Sequence, residues 1–469
     1  MIDQAIVVAY LLLVLGIGLW AGRGLRTLRD FSVVHQQYPS LVVFATLAAS
    51  FIGGGFSSGN AAKVFVFGIA NIVALWGFSL KELLIAAFVA PRTGPFRDCI
   101  SVGGIMHRQY GRAGQVITGL LGVLVCAGIT GAQVGAMGAV FNTFLGTSRM
   151  MGIVIGCSVV IAYSTVGGMK AVVMTDVLQF LLLSIGMPLA LWLGVRHVGG
   201  IDSLIQSVPA GHMKLFSENM TPIALASLFL SFVLGETLVP PYAQRLLLGR
   251  NARATAEGSL YAGLFSIPFF AVTGMLGLVA LAIRPDLDSN QALPFVVNTL
   301  LPVGLRGLVV AGVISIVMSS ADSFLNAASV SLICDVINPL RKTELSDRKG
   351  LWVAKITTLL VGLGAVVFAI KIENVLDILL FTYNFWAPVV LVPLVAVLLG
   401  VRANTKTFLV GAFCGVATLS IWHWLLKDPQ GVDGLVVGVL ANLVAFSAMH
   451  HIDCLTTHEN GPAMEQGRS

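Results

Sequence analysis

The chain has 469 residues, of which 57% are hydrophobic and only 11% are charged, and its mean hydropathy is +0.90. Soluble globular proteins carry about 25% charged residues, so this composition excludes an ordinary soluble enzyme or binding domain and indicates a polytopic helical membrane protein. The net charge of +6 lies in short loops, where it encodes membrane topology and does not indicate nucleic-acid binding.

Thirteen stretches of the chain are candidate membrane spans, since a transmembrane helix needs about 20 mostly apolar residues. The sequence therefore predicts an all-α fold in one transmembrane domain over residues 1–450, followed by a short tail over residues 451–469. The predicted spans are 6–21, 41–68, 69–90, 114–144, 152–166, 171–195, 222–246, 258–283, 304–336, 353–370, 375–399, 408–426 and 434–449.

The distribution of Lys and Arg predicts the orientation of the chain. One set of alternate loops holds 18 of the 28 basic residues, including Arg245, and the other set holds 7. Because loops rich in basic residues stay in the cytoplasm, we expect the N-terminus outside and the C-terminus inside a cell membrane.

The second predicted span is interrupted by three consecutive glycines, Gly53, Gly54 and Gly55, which precede the polar string Ser-Ser-Gly-Asn at 57–60. Each glycine costs a helix about 1 kcal/mol relative to alanine. Irregular backbone at membrane depth is tolerated where it lines a cavity or is buried in protein, and small residues also serve tight helix packing. The accompanying polar residues favour a cavity, so we predict a broken helix here.

The seventh predicted span is also interrupted, with Glu236 in a Gly-Glu-Thr string just before the adjacent prolines Pro240 and Pro241. Interrupted segments at matching places in two halves of a membrane protein indicate a transporter site. These two spans open two stretches of five spans each, 41–195 and 222–399. We interpret the stretches as two repeats, with peripheral helices at 6–21 and 408–449.

Two carboxylates, Asp176 and Asp322, lie in runs that are otherwise fit for lipid. A charged side chain at a helix centre costs roughly 2.5–3.5 kcal/mol on insertion scales, so such residues usually face a bundle interior or an ion path. Hydroxyl groups accompany both carboxylates, and these oxygens suit a small hard cation. Asp176 could also be an interfacial charge, and Asp322 could cap or bridge helices without binding an ion.

Four segments carry a resemblance to a known family: residues 49–68 (ASFIGGGFSSGNAAKVFVFG), 163–179 (YSTVGGMKAVVMTDVLQ), 244–256 (QRLLLGRNARATA) and 312–335. On these motifs the chain resembles the sodium:solute symporter family, and its Ile-Gly-Gly-Gly string is similar to the choline-transporting branch. The resemblance implies a LeuT-like fold, an inverted repeat of five plus five helices with one helix before it and usually two or more after. It also implies sodium-driven uptake of a small solute by alternating access.

The resemblance further implies a sodium site between the first helix of repeat one and the third helix of repeat two. Carried over to this chain, the ligands are the carbonyls of Ala49, Ile52 and Ile316 and the hydroxyls of Ser319 and Ser320. Many members have Ser-Thr where this chain has Ser-Ser, but both pairs supply hydroxyls. Asp176 matches an acidic position that in some members supports a second sodium. The two serines could instead only bond the carbonyl one turn back.

The predicted substrate pocket rests on position alone. Its candidates lie on the broken helix, on the next helix, on the interrupted seventh span and just before Pro388; they are Gly53, Gly54, Gly55, Phe56, Leu75, Phe78, Glu236, Tyr383 and Trp386. A quaternary ammonium solute needs an aromatic cage, and a carboxylate or amino-acid solute is equally open. Lys81 and Glu82 lie in the same region, where they could form a structural ion pair.

We therefore predict a sodium-coupled symporter that is not an enzyme and has no cofactor. Its predicted partners are a small-molecule solute, sodium and the lipid bilayer, and not nucleic acid. A proton-coupled or uncoupled carrier and a membrane solute sensor are the alternatives on the same fold. The retained set Ala49, Ile52, Ser319 and Ser320 argues against a proton-coupled carrier, and we expect the tail to be too short for the signalling domain of a sensor.

Overall fold

The computed structural model describes residues 1–32, 38–217, 220–341, 346–371 and 384–459. Within these ranges every regular element is a helix, as the composition predicts. The α-helices are α1 (Ile2–Ala21), α2 (Leu28–Ser32), α3 (Ser40–Phe51), α4 (Asn60–Phe67), α5 (Ala70–Leu84), α6 (Val102–Leu145), α7 (Arg149–Val198), α8 (Ile201–Ser207), α9 (Pro222–Leu234), α10 (Pro240–Leu246), α11 (Ala252–Ile283), α12 (Ala292–Leu300), α13 (Leu305–Ser331), α14 (Asn338–Leu340), α15 (Asp347–Lys371), α16 (Val392–Leu398), α17 (Thr405–Ser420) and α18 (Gly434–Glu459).

Most predicted spans correspond to a long apolar helix. Among the described residues, nine helices are long and apolar enough to cross a membrane, and the bent pair Ser40–Phe51 and Gly55–Phe67 adds a tenth. Two shorter apolar helices, Pro222–Leu234 and Asn384–Leu398, coincide with two further predicted spans. All thirteen predicted spans overlap a helix, and the exact number of membrane crossings stays a prediction.

Helix α7 contains two predicted spans, because the chain folds back within it at Gly168. This glycine has φ 52° and ψ −149°, which is not helical. Tyr163 and Asp176, on either side of it, bond to Asp322 and Ser319 in a single turn of α13. In a straight helix those two residues would be about 20 Å apart. The two halves of α7 therefore lie side by side against α13.

Both predicted helix breaks are present. Helix α3 ends at Phe51, Ile52 has ψ 78°, and the chain resumes at an angle of 68° through a π-helical turn at Gly55–Gly59. Helix α9 ends at Leu234, and α10 begins at Pro240, where a proline at the first helical position needs no amide hydrogen. Between them Leu238 has φ 55°, a conformation that L-residues rarely adopt.

Helix α13 is the centre of the bundle, and the outer helices face lipid. In the hydrophobic window of Leu305–Leu340, 94% of residues are buried, against 28% for α1 and 22% for Thr405–Leu425. Small residues explain how neighbours approach α13 so closely, since a Cβ on Gly307 of α13 would lie 2.7 Å from the backbone of Asp3 in α1. Helix α18 continues to Glu459, so the first part of the predicted tail is helical.

Candidate functional site

The break in α3 releases two backbone carbonyls at the centre of the protein. In a continuous helix the amide of Gly53 would pair with the carbonyl of Ala49, but it donates to Phe51 O at 2.8 Å. The amide of Phe56 would pair with Ile52, but it donates to Gly53 O at 3.1 Å. Both Ala49 and Ile52 are buried. The two predicted carbonyl ligands thus lose their helical partners where the sequence suggests.

The hydroxyls of Ser319 and Ser320 both donate hydrogen bonds to residues outside α13. Ser320 Oγ donates to the carbonyl of Ser50 at 3.0 Å, directly beside the break, and Ser319 Oγ donates to Asp176 Oδ1 at 2.5 Å. Neither bond is to the carbonyl one turn back, so that alternative is wrong. A hydroxyl that donates elsewhere keeps its lone pairs available for a cation. Ile316, one turn before Ser320, is completely buried.

Asp176 forms a buried ion pair with Arg245. Arg245 Nη2 donates to Asp176 Oδ2 at 2.9 Å, and both side chains are 0% exposed. The hydroxyl of Thr46 also donates to Oδ2. Asp176 is therefore not an interfacial charge, and it reaches the predicted sodium site through the hydroxyl of Ser319.

Arg245 connects four helices, and its inclusion among the loop residues was wrong. Its Nε donates to the carbonyl and hydroxyl of Thr46 in α3 at 3.1 and 3.0 Å, and its Nη1 donates to Pro241 O at 3.0 Å within α10. Its Nη2 also donates to Ser323 Oγ of α13 at 2.6 Å. A loop count cannot detect this because it treats every arginine near a span end as solvated. A buried guanidinium needs hydrogen-bond acceptors, and here each of its three nitrogens donates to at least one.

Asp322 bridges α13 and α7, which is one of the two roles that the sequence suggests for it. The hydroxyl of Tyr163 donates to its Oδ2, and Ser323 Oγ lies 3.1 Å from its Oδ1. Whether it also binds an ion stays a prediction. Among the described residues of this cluster, Asp176 pairs with the guanidinium of Arg245, whereas Asp322 accepts hydrogen bonds from hydroxyl groups.

On the other side of the break, the three glycines have different surroundings. A Cβ on Gly53 would lie 2.9 Å from Ser320 Oγ and 3.0 Å from Gln133 Nε2, whereas one on Gly55 would have nothing within 4 Å. The amide of Gly54 donates to Gln133 Oε1 at 3.4 Å. Gly55 is exposed and Phe56 is half-buried, so this part of the break borders open space. The packing interpretation of the glycine string therefore applies to Gly53, and the cavity interpretation applies to Gly55.

The remaining substrate candidates form two groups, one beside the first helix break and one beside the second. The ring of Phe56 contacts the ring of Phe78 at 5.0 Å between centroids, and Phe78 and Leu75 are buried behind it. Trp386 is completely buried, and its Nε1 donates to the carbonyl of Thr237 in the second break at 3.1 Å. Glu236 is half-buried and accepts a hydrogen bond from the Tyr242 hydroxyl at 2.7 Å. Tyr383 lies outside the described residues.

Lys81 and Glu82 form the ion pair that the sequence offers as the structural alternative. Lys81 Nζ lies 3.1 Å from Glu82 Oε1, and both side chains are 1% exposed. The ammonium also lies 3.2 Å from the centroid of the Phe78 ring and 5.0 Å from that of Tyr242, which are cation–π distances. Through Tyr242, this pair is connected to Glu236.

Sequence reasoning missed four residues of this site: Thr46, Gln133, Tyr163 and Arg245. Thr46 and Tyr163 bond the two buried aspartates, and Gln133 contacts the glycine break. Gln133 gave a usable signal, since it is an amide well inside the predicted span 114–144, and polar residues at membrane depth face the bundle interior. Thr46 and Tyr163 gave none, because both residue types are ordinary in membrane helices.

Comparisons with known proteins match most of the chain. The model of the sodium:solute symporter family matches residues 36–417. The chain is 26% identical to the high affinity choline transporter 1 of Homo sapiens, over 88% of this chain and 75% of that protein. It is 25% identical to the sodium/glucose cotransporter 4 of Danio rerio, over 95% of this chain and 72% of that protein.

Solved structures share the fold. A sodium-coupled sialic acid symporter in a substrate-bound outward-open state superposes with a TM-score of 0.85 at 20% identity, over 96% of this chain and 98% of that one. Mhp1, a nucleobase-cation-symport-1 family transporter, superposes with a TM-score of 0.60 at 14% identity, over 90% of this chain and 95% of that one. The fold is LeuT-like, as the sequence predicts.

We expect Arg245→Met to destabilise the protein strongly, by about 3–5 kcal/mol, because it leaves the carboxylate of Asp176 buried and uncompensated. Asp176→Leu in the same chain should restore most of that loss, since the pair is then replaced by apolar groups. The measurement is the apparent melting temperature of purified protein in sodium-free potassium buffer.

The matched control is Arg253→Met, which breaks the exposed pair with Glu257, where Arg253 is 87% exposed. This control should leave the melting temperature unchanged. Equal melting temperatures for the Arg245 and Arg253 variants would contradict a structural role for the buried pair.

Proposed function

The chain belongs to the sodium:solute symporter family, and from this membership we propose that its coupling ion binds between the break in α3 and the middle of α13. The protein is a multi-pass membrane transporter that couples sodium to the movement of a small solute, and it is not an enzyme. The proposal concerns the residues that carry this coupling. The observation that supports it most directly is the hydrogen bond from Ser320 to the carbonyl of Ser50 across the break.

The proposed sodium ligands are the carbonyls of Ala49, Ile52 and Ile316 and the hydroxyls of Ser319 and Ser320. Five neutral oxygens suit a small hard cation. Asp176 lies in the second layer, where its charge polarises the hydroxyl of Ser319 through the 2.5 Å hydrogen bond.

Sodium would couple to transport because its ligands belong to elements that can move relative to each other. Helix α3 and its break carry two of the carbonyls, and α13 carries the other ligands. A bound ion joins the two and favours the arrangement in which both ligand sets are close. Breaks of this kind line the substrate site of secondary transporters. We place the solute beside Gly54, Gly55 and Phe56, opposite Glu236.

We further propose that Glu236 contacts a cationic group of the solute. Tyr242 contacts Glu236, its ring contacts that of Phe78, and the ring of Phe78 contacts that of Phe56. Such rings attract an organic ammonium. The similarity to a choline transporter supports this class, whereas the similarity to a sodium/glucose cotransporter keeps a neutral solute as the second candidate.

We propose the orientation with the N-terminus outside and the C-terminus in the cytoplasm of a cell membrane. Its support is the asymmetric distribution of basic residues in the loops. Cys454 reports on this, because it is exposed near the end of α18.

Membrane-impermeant maleimide should label Cys454 in permeabilised cells and leave it unlabelled in intact cells. Burial raises the pKa of the Cys99 thiol to about 11, so at pH 7.4 this loop cysteine is almost entirely protonated and reacts slowly. The variant Cys454→Ser measures the background from the other cysteines. Labelling of Cys454 in intact cells would reverse the proposed orientation.

Ser319→Ala and Ser320→Ala should each raise the sodium concentration needed for half-maximal uptake by roughly ten-fold or more, since one contact to a charged group contributes about 1.5–3 kcal/mol. The measurement is sodium-dependent uptake of labelled choline, and then of other small solutes, into proteoliposomes. The matched control is Ser315→Ala, which removes the hydroxyl of a buried serine in the same helix that donates to the carbonyl of Ala311 at 2.7 Å. An unchanged sodium dependence in the Ser319/Ser320 double variant would reject the assignment, and uptake driven by a proton gradient without sodium would favour the proton-coupled alternative.

Two variants separate solute contact from structural pairing at Glu236. If Glu236 binds the solute, Glu236→Gln should abolish uptake while Lys81→Met preserves it. If Glu236 mainly balances the charge of Lys81, Lys81→Met should rescue Glu236→Gln, because the second change removes the charge that the first leaves unbalanced. Normal transport by both single variants would place the solute elsewhere.

A further inference from the structure

A wholly apolar groove of about 280 Å³ lies on the outside of the transporter core, between α5, α8 and α11. Helix α5 contributes Val73 and Trp76, α8 contributes Leu204 and Ile205, and α11 contributes Ala271. We call it the α8 groove. It is close to the lower limit of small-ligand sites, roughly 300 Å³, but it offers none of the convergent polar groups that orient a polar solute.

Helix α8 has the pattern of a helix that lies flat in a membrane interface. Its apolar residues Ile201, Leu204 and Ile205 recur at helical spacing, and the other residues of the helix are polar. Leu204 is 1% exposed, while Ile201 and Ile205 are each 45% exposed. An amphipathic helix with half-exposed isoleucines is typical of the boundary between headgroups and acyl chains. The groove is therefore bounded by an element adapted to lipid.

The residues next to the groove indicate that it lies near the headgroup level of the membrane. Trp192 and Arg196, at the end of α7 just before α8, stack with 5.7 Å between the guanidinium carbon and the ring, and Trp192 is 56% exposed. Exposed Trp with a basic neighbour is characteristic of the headgroup level. Met213 lines the groove, and the next residue, Lys214, is exposed. The opening thus has an apolar interior and a cation at its margin.

We propose that the α8 groove binds an acyl chain of a bilayer phospholipid, with the phosphate of the headgroup at Lys214. The apolar lining matches hydrocarbon, and the exposed ammonium matches a phosphate. A second copy of the chain would have to insert side chains beneath α8, whereas an acyl chain needs only to enter from the surrounding bilayer. The site is separate from the proposed sodium and solute sites, which lie around α3 and α13.

Trp76 makes the proposal testable, because bromine atoms on a lipid chain quench the fluorescence of a tryptophan that they contact. The protein is reconstituted in nanodiscs with increasing fractions of phosphatidylglycerol that carries a dibrominated acyl chain. Each variant is measured with and without Trp76→Phe, so that the difference reports Trp76 alone. We expect strong quenching of Trp76 at low fractions of brominated lipid, and a loss of at least half of it in Ala271→Phe, which fills the groove.

The matched control is Ala87→Phe, the same change at an exposed alanine beyond the other end of α5. It should leave the quenching of Trp76 unchanged. Val73→Phe also fills the groove and provides the same test if Ala271→Phe does not fold. Quenching of Trp76 that is absent, or that is unchanged in the folded filling variant, would overturn the acyl-chain site.

A second comparison tests the headgroup. Brominated phosphatidylglycerol should quench Trp76 at several-fold lower mole fraction than brominated phosphatidylcholine, and Lys214→Gln should abolish this difference. Equal quenching by both lipids in the wild type would overturn the placement of the phosphate at Lys214.

Discussion

The ion pair between Asp176 and Arg245 is the constraint around which the centre of this protein is arranged. A guanidinium without access to water needs acceptors from the protein, and here they come from α3, α7, α10 and α13. The short helix after the second break is thereby attached to the helix that carries the first. Because Asp176 also receives the hydroxyl of Ser319, the pair connects the proposed sodium site to both broken helices.

The fold could be predicted from sequence because a membrane imposes simple rules. Spans are long apolar stretches, and irregular backbone within them is costly, so Gly53–Gly55 and Pro240–Pro241 indicated the breaks without any partner being known. The hairpin in α7 was also predicted, since the string Val-Gly-Gly-Met-Lys separates two apolar runs, and Gly168 has the positive φ that permits the reversal. Helix α6 also contains a non-helical glycine, Gly111 with φ 59° and ψ −157°, which lies just before the predicted span 114–144.

The site was predicted less completely because its contacts join residues that are distant in sequence. Arg245 is 69 positions from Asp176 and 199 from Thr46, and no local pattern reveals such a pairing. The family resemblance supplied positions for Ser319 and Ser320, but it did not show where their hydrogens point. Lys81 and Glu82 illustrate the converse, since adjacent residues of opposite charge suggest a pair that the structure contains.

The unequal surroundings of the three central glycines have a consequence for how sequences of this kind should vary. At position 53 a methyl group would collide with Ser320, an ion-ligand candidate, whereas at position 55 it would project into free space. The three glycines look like one motif, but Gly53 and Gly55 are constrained for different reasons: Gly53 by its contact with Ser320, and Gly55 by the space beside it. Divergence at position 55 would change the shape of the space that we propose for the solute and leave the contact between Gly53 and Ser320 intact. Under that proposal, new solute preferences arise at one end of the string while the proposed ion site at the other end is preserved.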